Sequence, residues 1–209
     1  MKLTDAEKAY NQIKEQIVTT KLRPGALVNE ADMMEKLALG RTPVREAMKQ
    51  LVADNLVIIT PRRGIVITDI TVTDLTEIFE VRVELESLAA YLAAQRIEKN
   101  ELVQLRRLAE KYKDADPMDI EALLKLDRDF HALLAKATHN KFLLKDLLHY
   151  YNLSLRIWYV ALNYAQPNDI DMDAHLEILE GIEALDAEKA EQRMRKHIQI
   201  FHQTIKKYL

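Results

Sequence analysis

Asp127 and His131 stand four residues apart, and His175 and His197 follow in two further stretches of helical periodicity. On a helix, positions i and i+4 project from one side about one turn apart, so the first two present a carboxylate and an imidazole together. His175 opens one predicted helix. His197 lies within the next, which would run back antiparallel, so the two imidazoles can converge. Three neutral imidazoles and one carboxylate suit a divalent ion of the zinc, nickel or manganese class, with positions left for water or a ligand carboxylate. Histidines that pack in a helical core meet the same spacing, and residue type alone leaves both readings open. A metal hydrolase is a further alternative, because bound water can be activated toward neutral pH. No additional general base, nucleophile or glycine-rich substrate loop accompanies the four residues, so the expectation is not an enzyme.

A second chemistry sits near the N-terminus in Arg41-Thr42-Pro43-Val44-Arg45-Glu46-Ala47. Arg41 and Arg45 share one face at the start of a predicted helix. The planar guanidinium matches guanine O6 and N7 bidentately. Thr42 and the unpaired amides of the first turn suit a phosphate, and Pro43 is tolerated because those amides have no intrahelical acceptor. Lys49, Arg62, Arg63 and Gly64 extend the set. An isolated pair of arginines four apart is usually a solvated helix face; here two short helices precede it and an arginine-tipped hairpin follows.

The elements that must position these residues are legible in outline. Residues 5–20 place Ala9, Ile13 and Ile17 at amphipathic spacing. Residues 21–28 break that helix at Pro24-Gly25, and Asn29 is a good N-cap for a second helix to Ala38, with Met33, Met34 and Leu37 inward. A third helix follows Leu39-Gly40 and runs to about Asp54, burying Val44, Ala47, Met48 and Leu51. Two β-branched runs, 56–59 and 65–67, flank Thr60-Pro61-Arg62-Arg63-Gly64 and predict a two-stranded hairpin. Together these make a winged helix-turn-helix over residues 1–71. Six helical stretches follow at about 73–96, 99–115, 119–138, 140–165, 172–185 and 187–208, with breaks at Asp116-Pro117 and Gln166-Pro167-Asn168. Thr73, Asp119, Asn140 and Asp186 are plausible caps. Residues 72–209 should then form an all-α antiparallel bundle, and the fold class is mainly α.

Composition narrows the class. The 209 residues are 48% hydrophobic with only four Gly and five Pro, enough for real cores and a strong bias to helix. Without cysteine, any metal must take nitrogen and oxygen ligands. No apolar stretch approaches the roughly 18 residues of a membrane span, and the N-terminus lacks a signal-peptide run, so a cytoplasmic protein is expected. The formal charge of −3 conceals an asymmetry, since residues 1–70 hold 11 Lys and Arg against 9 Asp and Glu. That excess decides little; the clustering of Arg41, Arg45, Lys49, Arg62 and Arg63 matters more.

Ile13, Arg23-Pro24-Gly25-Ala26-Leu27, Glu30, Leu37, Arg41 through Met48, Leu51 and Arg63-Gly64 together resemble the winged helix-turn-helix of the GntR family of bacterial transcription regulators, over roughly residues 8–70. That family usually has Val-Ser before the first arginine, where this chain has Leu39-Gly40. Glycine still serves as an N-cap but brings no hydroxyl. Leu126 through His131, Asn140, Ala174-His175 and Met194-Arg195-Lys196-His197 resemble the FCD effector-binding domain of the FadR subfamily. Six helices rather than seven resembles its shorter, VanR-like type.

The resemblance implies a homodimeric, metal-containing repressor that binds a palindromic operator in double-stranded DNA. It implies that Asp127, His131, His175 and His197 hold a divalent metal, which helps hold a small organic acid or sugar acid. Arg82 occupies a place where the family often has a pocket arginine that can clamp a carboxylate; its simpler role is a surface salt bridge to Glu86 at i+4. Arg156 is a candidate of the same kind, because an arginine among Leu153, Ile157 and Trp158 needs a partner if buried. Effector binding would shift the population of bundle and linker geometries around Ile70 to Thr73. A sensor whose signal is the metal itself is the alternative. His139, His149 and His202 read as surface or packing residues, Asp129 as pointing to another face, and Tyr151, Trp158, Tyr159 and Tyr164 as core or dimer surface.

Overall fold

The computed structural model describes residues 3–164, 166 and 169–208. Pro167 and Asn168, expected in a break, and Ala165, expected to end a helix, lie outside the described residues. Contacts divide the chain into two compact units, Met1–Thr71 with Leu155–Tyr159, and Val72–Ser154 with Val160–Leu209. The expected division at residue 71 did not include the short Leu155–Tyr159 segment.

In the first unit, α1 (Asp5–Val18) opens on a reciprocal cap: the Thr4 hydroxyl accepts from the Glu7 amide at 3.2 Å, and the Glu7 carboxylate accepts from the Thr4 amide at 2.7 Å. Asn29 caps α2 (Glu30–Leu37) by accepting from the Ala31 amide at 2.9 Å. Then α3 (Arg41–Ala53) packs on α1, and Ala9, Ile13 and Ile17 of α1 and Val44, Ala47, Met48 and Leu51 of α3 are almost fully excluded from water. Each large side chain buried in this way contributes about 1.5–3 kcal/mol. The Tyr10 hydroxyl donates to Asp54, which ends α3.

The wing has three strands where the sequence predicts two. β1 (Leu27–Val28), β2 (Val57–Thr60) and β3 (Gly64–Ile67) lie in the order β1-β3-β2, all antiparallel, with Leu27 opposite Val66 and Thr60 opposite Gly64. Two residues are too few for an alternating pattern to register, so β1 is invisible until its partner is in place. Two turns of this unit share a design. In Arg23-Pro24-Gly25-Ala26 and in Thr60-Pro61-Arg62-Arg63 the fourth amide donates to the first carbonyl, at 3.1 and 3.2 Å, and the third residue has positive φ, 74° for Gly25 and 65° for Arg62. Proline second and a left-handed third residue are the marks of a type II turn, which favours glycine at that third place. The first turn has it and the wing tip has arginine.

The second unit is all helix: α4 (Val72–Arg96), α5 (Lys99–Lys113), α6 (Ile120–Ala137), α7 (Lys141–Ala161, whose Leu155–Tyr159 segment belongs to the first unit), α8 (Ala174–Glu183) and α9 (Ala187–Lys206), with a 3-10 turn at Leu162–Tyr164. Asp119 and Asp186 cap α6 and α9, and Asn140 accepts from the amides of Phe142 and Leu143 at the start of α7. Helix α4 begins at Val72, so Thr73 falls inside its first turn rather than capping it. It packs against α6, α8 and α9 through Ala90, Ala93 and Ala94, all fully buried, whose small side chains let neighbouring helices approach closely. Phe130, Leu134, Ile178, Ile182 and Met194 fill the same core.

Helices α8 and α9 meet closely at Gly181, where a Cβ would lie 2.6 Å from the Ala190 amide nitrogen and 2.8 Å from its Cα. Backbone atoms cannot rotate aside, so Gly181→Ala should lower stability by about 1–3 kcal/mol. Thermal unfolding followed by circular dichroism should show a lower Tm; an unchanged Tm would mean that α8 and α9 do not meet this closely.

Candidate nucleic-acid interface and metal centre

Helix α3 divides its faces sharply. Val44, Ala47, Met48 and Leu51 are buried, whereas Arg41, Thr42, Arg45 and Lys49 are exposed. The spacing i, i+4, i+8 of Arg41, Arg45 and Lys49 lines three cations along one side. Gly40 is the N-cap and makes no side-chain cap bond, so the amides of the first turn remain available to an outside acceptor. Pro43 sits within that turn, where a missing amide costs nothing. Arg62, Arg63 and Gly64 are exposed at the turn of the wing. The unit therefore presents a basic helix face and a basic hairpin tip, with the apolar sides of both turned into one core.

The four metal-ligand candidates come together in the second unit. Asp127 and His131 project from α6, His175 from the first turn of α8, and His197 from α9, and one donor atom from each lies within 4.8 Å of all the others. Asp127, His131 and His175 are buried, and His197 is half-buried. His131 Nε2 is 3.3 Å from His197 Nε2, and His175 Nε2 is 3.1 Å from Asp127 Oδ1. Two nitrogens bound tetrahedrally at about 2.05 Å to one ion would be about 3.3 Å apart. Neither ring nitrogen of the fully buried His175 has a hydrogen-bond partner, since the approach to Asp127 is out of line for one. Its ring is fixed by packing, stacked on Phe130 at 4.3 Å and edge-on to Tyr112 at 4.2 Å. An orphaned buried imidazole aimed at a carboxylate and two more imidazoles fits a cation.

Burial and the cluster's own charges move its four groups in different directions. Burial, then the neighbouring His175 and His131, push His197 well below the usual histidine range. Burial also lowers His175, against the pull of Asp127. His131 goes the other way: burial lowers it, but Glu86 and Asp127 outweigh that and raise it. Burial would lift the Asp127 carboxyl, yet the surrounding imidazoles hold it well below the ordinary carboxylate value.

Around these four lies a ring of partners, of which sequence spacing offers only the pairing of Arg82 with Glu86. Glu86 Oε2 lies 2.8 Å from His131 Nδ1, and Glu86 Oε1 accepts from Arg82 Nη2 at 2.7 Å. Burial works to raise the Glu86 carboxyl, but His131 and Arg82 bring it down to about 2. The Tyr151 hydroxyl donates to Asp127 Oδ2, and the Arg82 guanidinium lies over the Tyr151 ring, 5.0 Å from its centroid. Arg82 thus joins the cluster's surroundings through an ion pair with Glu86 that is buried, not superficial. Arg156 is placed elsewhere: it is buried in the first unit and donates to the Thr68 hydroxyl at 2.8 Å and to the Thr68 carbonyl. Asp129 is exposed, His139 bonds Glu101 at 3.1 Å, and His202 stacks on Phe79 at 4.0 Å. Beside His197 a recess of about 20 Å³ is lined by Tyr112, Asp169, Asp171, Phe201 and Thr204, among others.

The family of bacterial regulatory proteins named gntR matches residues 5–67, and the FCD domain matches residues 77–200. The HTH-type transcriptional regulator YdhC of Bacillus subtilis is 31% identical over 192 residues, 90% of this chain and 85% of that protein. The chain belongs to the GntR family. It joins the GntR helix-turn-helix to an FCD domain, as expected for the FadR subfamily. Another GntR-type relative, the HTH-type transcriptional regulator McbR of Escherichia coli, is 29% identical over 182 residues, 85% of this chain and 82% of McbR. The solved structure of Escherichia coli McbR/YncC superposes with a TM-score of 0.89 at 22% identity over 99% of each chain, which establishes the shared fold. The relatives carry the names of transcriptional regulators rather than enzymes. Among the described residues no helix is long and apolar enough to cross a membrane.

The left-handed arginine at the wing tip generates a test within the GntR domain. Arg62→Gly should raise stability by up to about 1 kcal/mol, because glycine adopts positive φ without a Cβ penalty. DNA binding should weaken with a salt slope lower by about one phosphate contact. Denaturant unfolding and binding titrations at several salt concentrations measure the two effects. Lost stability with unchanged DNA affinity would remove Arg62 from the interface.

Proposed function

We propose that this GntR-family regulator is a homodimeric repressor whose FCD domain holds a divalent metal ion, and that a small organic acid or sugar acid bound at the ion changes its affinity for a palindromic operator. In this reading residues 1–71 read DNA and residues 72–209 sense and dimerise. Arg41 and Arg45 contact base edges. Thr42, Lys49, Arg62, Arg63 and the Gly64 backbone contact phosphate or the groove beside it. Asp127, His131, His175 and His197 hold the ion. When bound, it supplies positive charge and open coordination positions for a carboxylate. Arg82 provides a further cation close to the centre through Glu86 and Tyr151. Arg156 remains a candidate effector contact on residue type alone, since its hydrogen bonds to Thr68 give no support to that role.

The observation that carries this proposal is the convergence of one carboxylate and three imidazoles, with an unpaired buried His175, in a chain whose other unit is a DNA-binding module. Linkage makes the coupling reciprocal, so whatever ligand lowers operator affinity must itself bind less tightly in the presence of operator.

A second reading has one observation in its favour. The recess beside His197 is about 20 Å³ and carries two aspartates, which suits a cation better than an organic anion. If DNA release follows zinc alone and no organic acid shifts Tm or DNA affinity, the metal is the signal.

Two substitutions separate the parts. With a DNA fragment selected from a random pool by the unaltered protein, Arg45→Ala should reduce specific binding roughly 10–100-fold in gel shift, while the rise in Tm on adding zinc is kept. Normal specific binding by that variant would refute the role of Arg45. His175→Ala should abolish most of the zinc-induced rise in Tm; an undiminished rise would place the ion elsewhere.

A further inference from the structure

The three imidazoles of the cluster are oriented in different ways. His175 is packed between Phe130 and Tyr112, with Nε2 3.1 Å from Asp127 Oδ1 but no aligned hydrogen bond at either nitrogen. His131 is held by a carboxylate from another helix, 45 positions away in sequence: Glu86 Oε2 lies 2.8 Å from Nδ1. Glu86 is 1% exposed, and its second oxygen accepts from the buried Arg82 at 2.7 Å. A carboxylate paired with a guanidinium can only accept, so the proton between Glu86 and His131 resides on Nδ1. That leaves Nε2 with its lone pair on the side of the ring facing His197 and Asp127, at 3.3 and 3.7 Å.

We propose that Glu86 is the positioning residue of the centre: it fixes His131 in the Nδ1–H tautomer and so presents Nε2 as a ready donor, while Arg82 keeps Glu86 in place and balances its charge. This rests on the metal reading above. The arrangement is that of a ligand imidazole whose far nitrogen donates to a carboxylate, which raises ligand basicity and sets ring orientation. It also explains why a full ion pair occupies the interior of α4. Arg82 and Glu86 cancel each other, so the centre gains an acceptor for His131 without gaining net charge. Removing Glu86 alone would leave the buried charge of Arg82 without this carboxylate.

The test uses the full chain and zinc as the probe. Zinc affinity is measured by competition with a chromophoric chelator, and the His131 tautomer by long-range nitrogen–proton NMR of the metal-free protein. Glu86→Gln keeps the shape of the side chain but brings a donor group to a place that needs two acceptors. It should weaken zinc binding by roughly 10–100-fold and shift His131 away from the Nδ1–H tautomer, which a merely structural loss would leave unchanged. R82L/E86L removes both charges together, so no lone buried charge threatens folding; it should show the same loss of affinity and of tautomer preference. Should Glu86→Gln fail to fold, the double variant carries the test. Wild-type zinc binding with unchanged affinity and tautomer in the variants overturns the role of Glu86 and leaves the metal reading standing. Failure of the unaltered protein to bind zinc overturns both.

Discussion

Burying the carboxylate of Asp127 is the constraint to which the second unit answers. An isolated charge taken out of water costs far more than any one contact returns, so its neighbours must compensate. Here they do so from three other helices: Tyr151 on α7 donates to one oxygen, His175 on α8 approaches the other, and His197 on α9 completes the group. His131, one turn along α6, is in turn tied by Glu86 to α4. A single buried anion therefore links α4, α6, α7, α8 and α9. The alanine faces of α4 and the glycine contact of α8 with α9 make it possible for those helices to stand close enough. Packing and polar chemistry are two descriptions of one arrangement.

The first unit solves an easier problem. The helix faces packed between α1 and α3 are apolar, and the cations of α3 and the wing tip lie on the outside, while Arg156 is buried with its guanidinium bonded to Thr68. Exposed arginines bear little desolvation cost while they wait for a phosphate, so the interface can be assembled on a stable scaffold without stored charge. Arg62, like Thr20, Ala38 and Asn55 of the same unit, has positive φ, a left-handed conformation that an L side chain adopts only with strain.

Much of this was legible because helices impose a short period. Asp127 and His131, four apart, announce a shared face, and Val44, Ala47, Met48 and Leu51 announce the buried side of α3. Asn29, Asp119 and Asp186 mark helix starts because capping is chemistry between near neighbours. What escaped was non-local. Glu86 looks from sequence like the far end of an i, i+4 ion pair with Arg82, and only the fold brings His131 against its other oxygen. Tyr151 read as an ordinary core aromatic, because its partner is 24 residues distant on another helix. The strand Leu27–Val28 is too brief to leave a pattern, and it exists because β3 offers it an edge. Arg156 needed a partner, and no local rule could name Thr68.

The donor set is made only of nitrogen and oxygen, in a chain with no cysteine. Thiolate sites can be taken apart by oxidation, since disulfide or sulfenic acid formation removes the ligands. Imidazole and carboxylate donors have no such chemistry under mild oxidants. The metal centre proposed for these donors would stay assembled as the redox state around it changes, and it would answer to competition among cations, to proton concentration and to ligands that reach the ion.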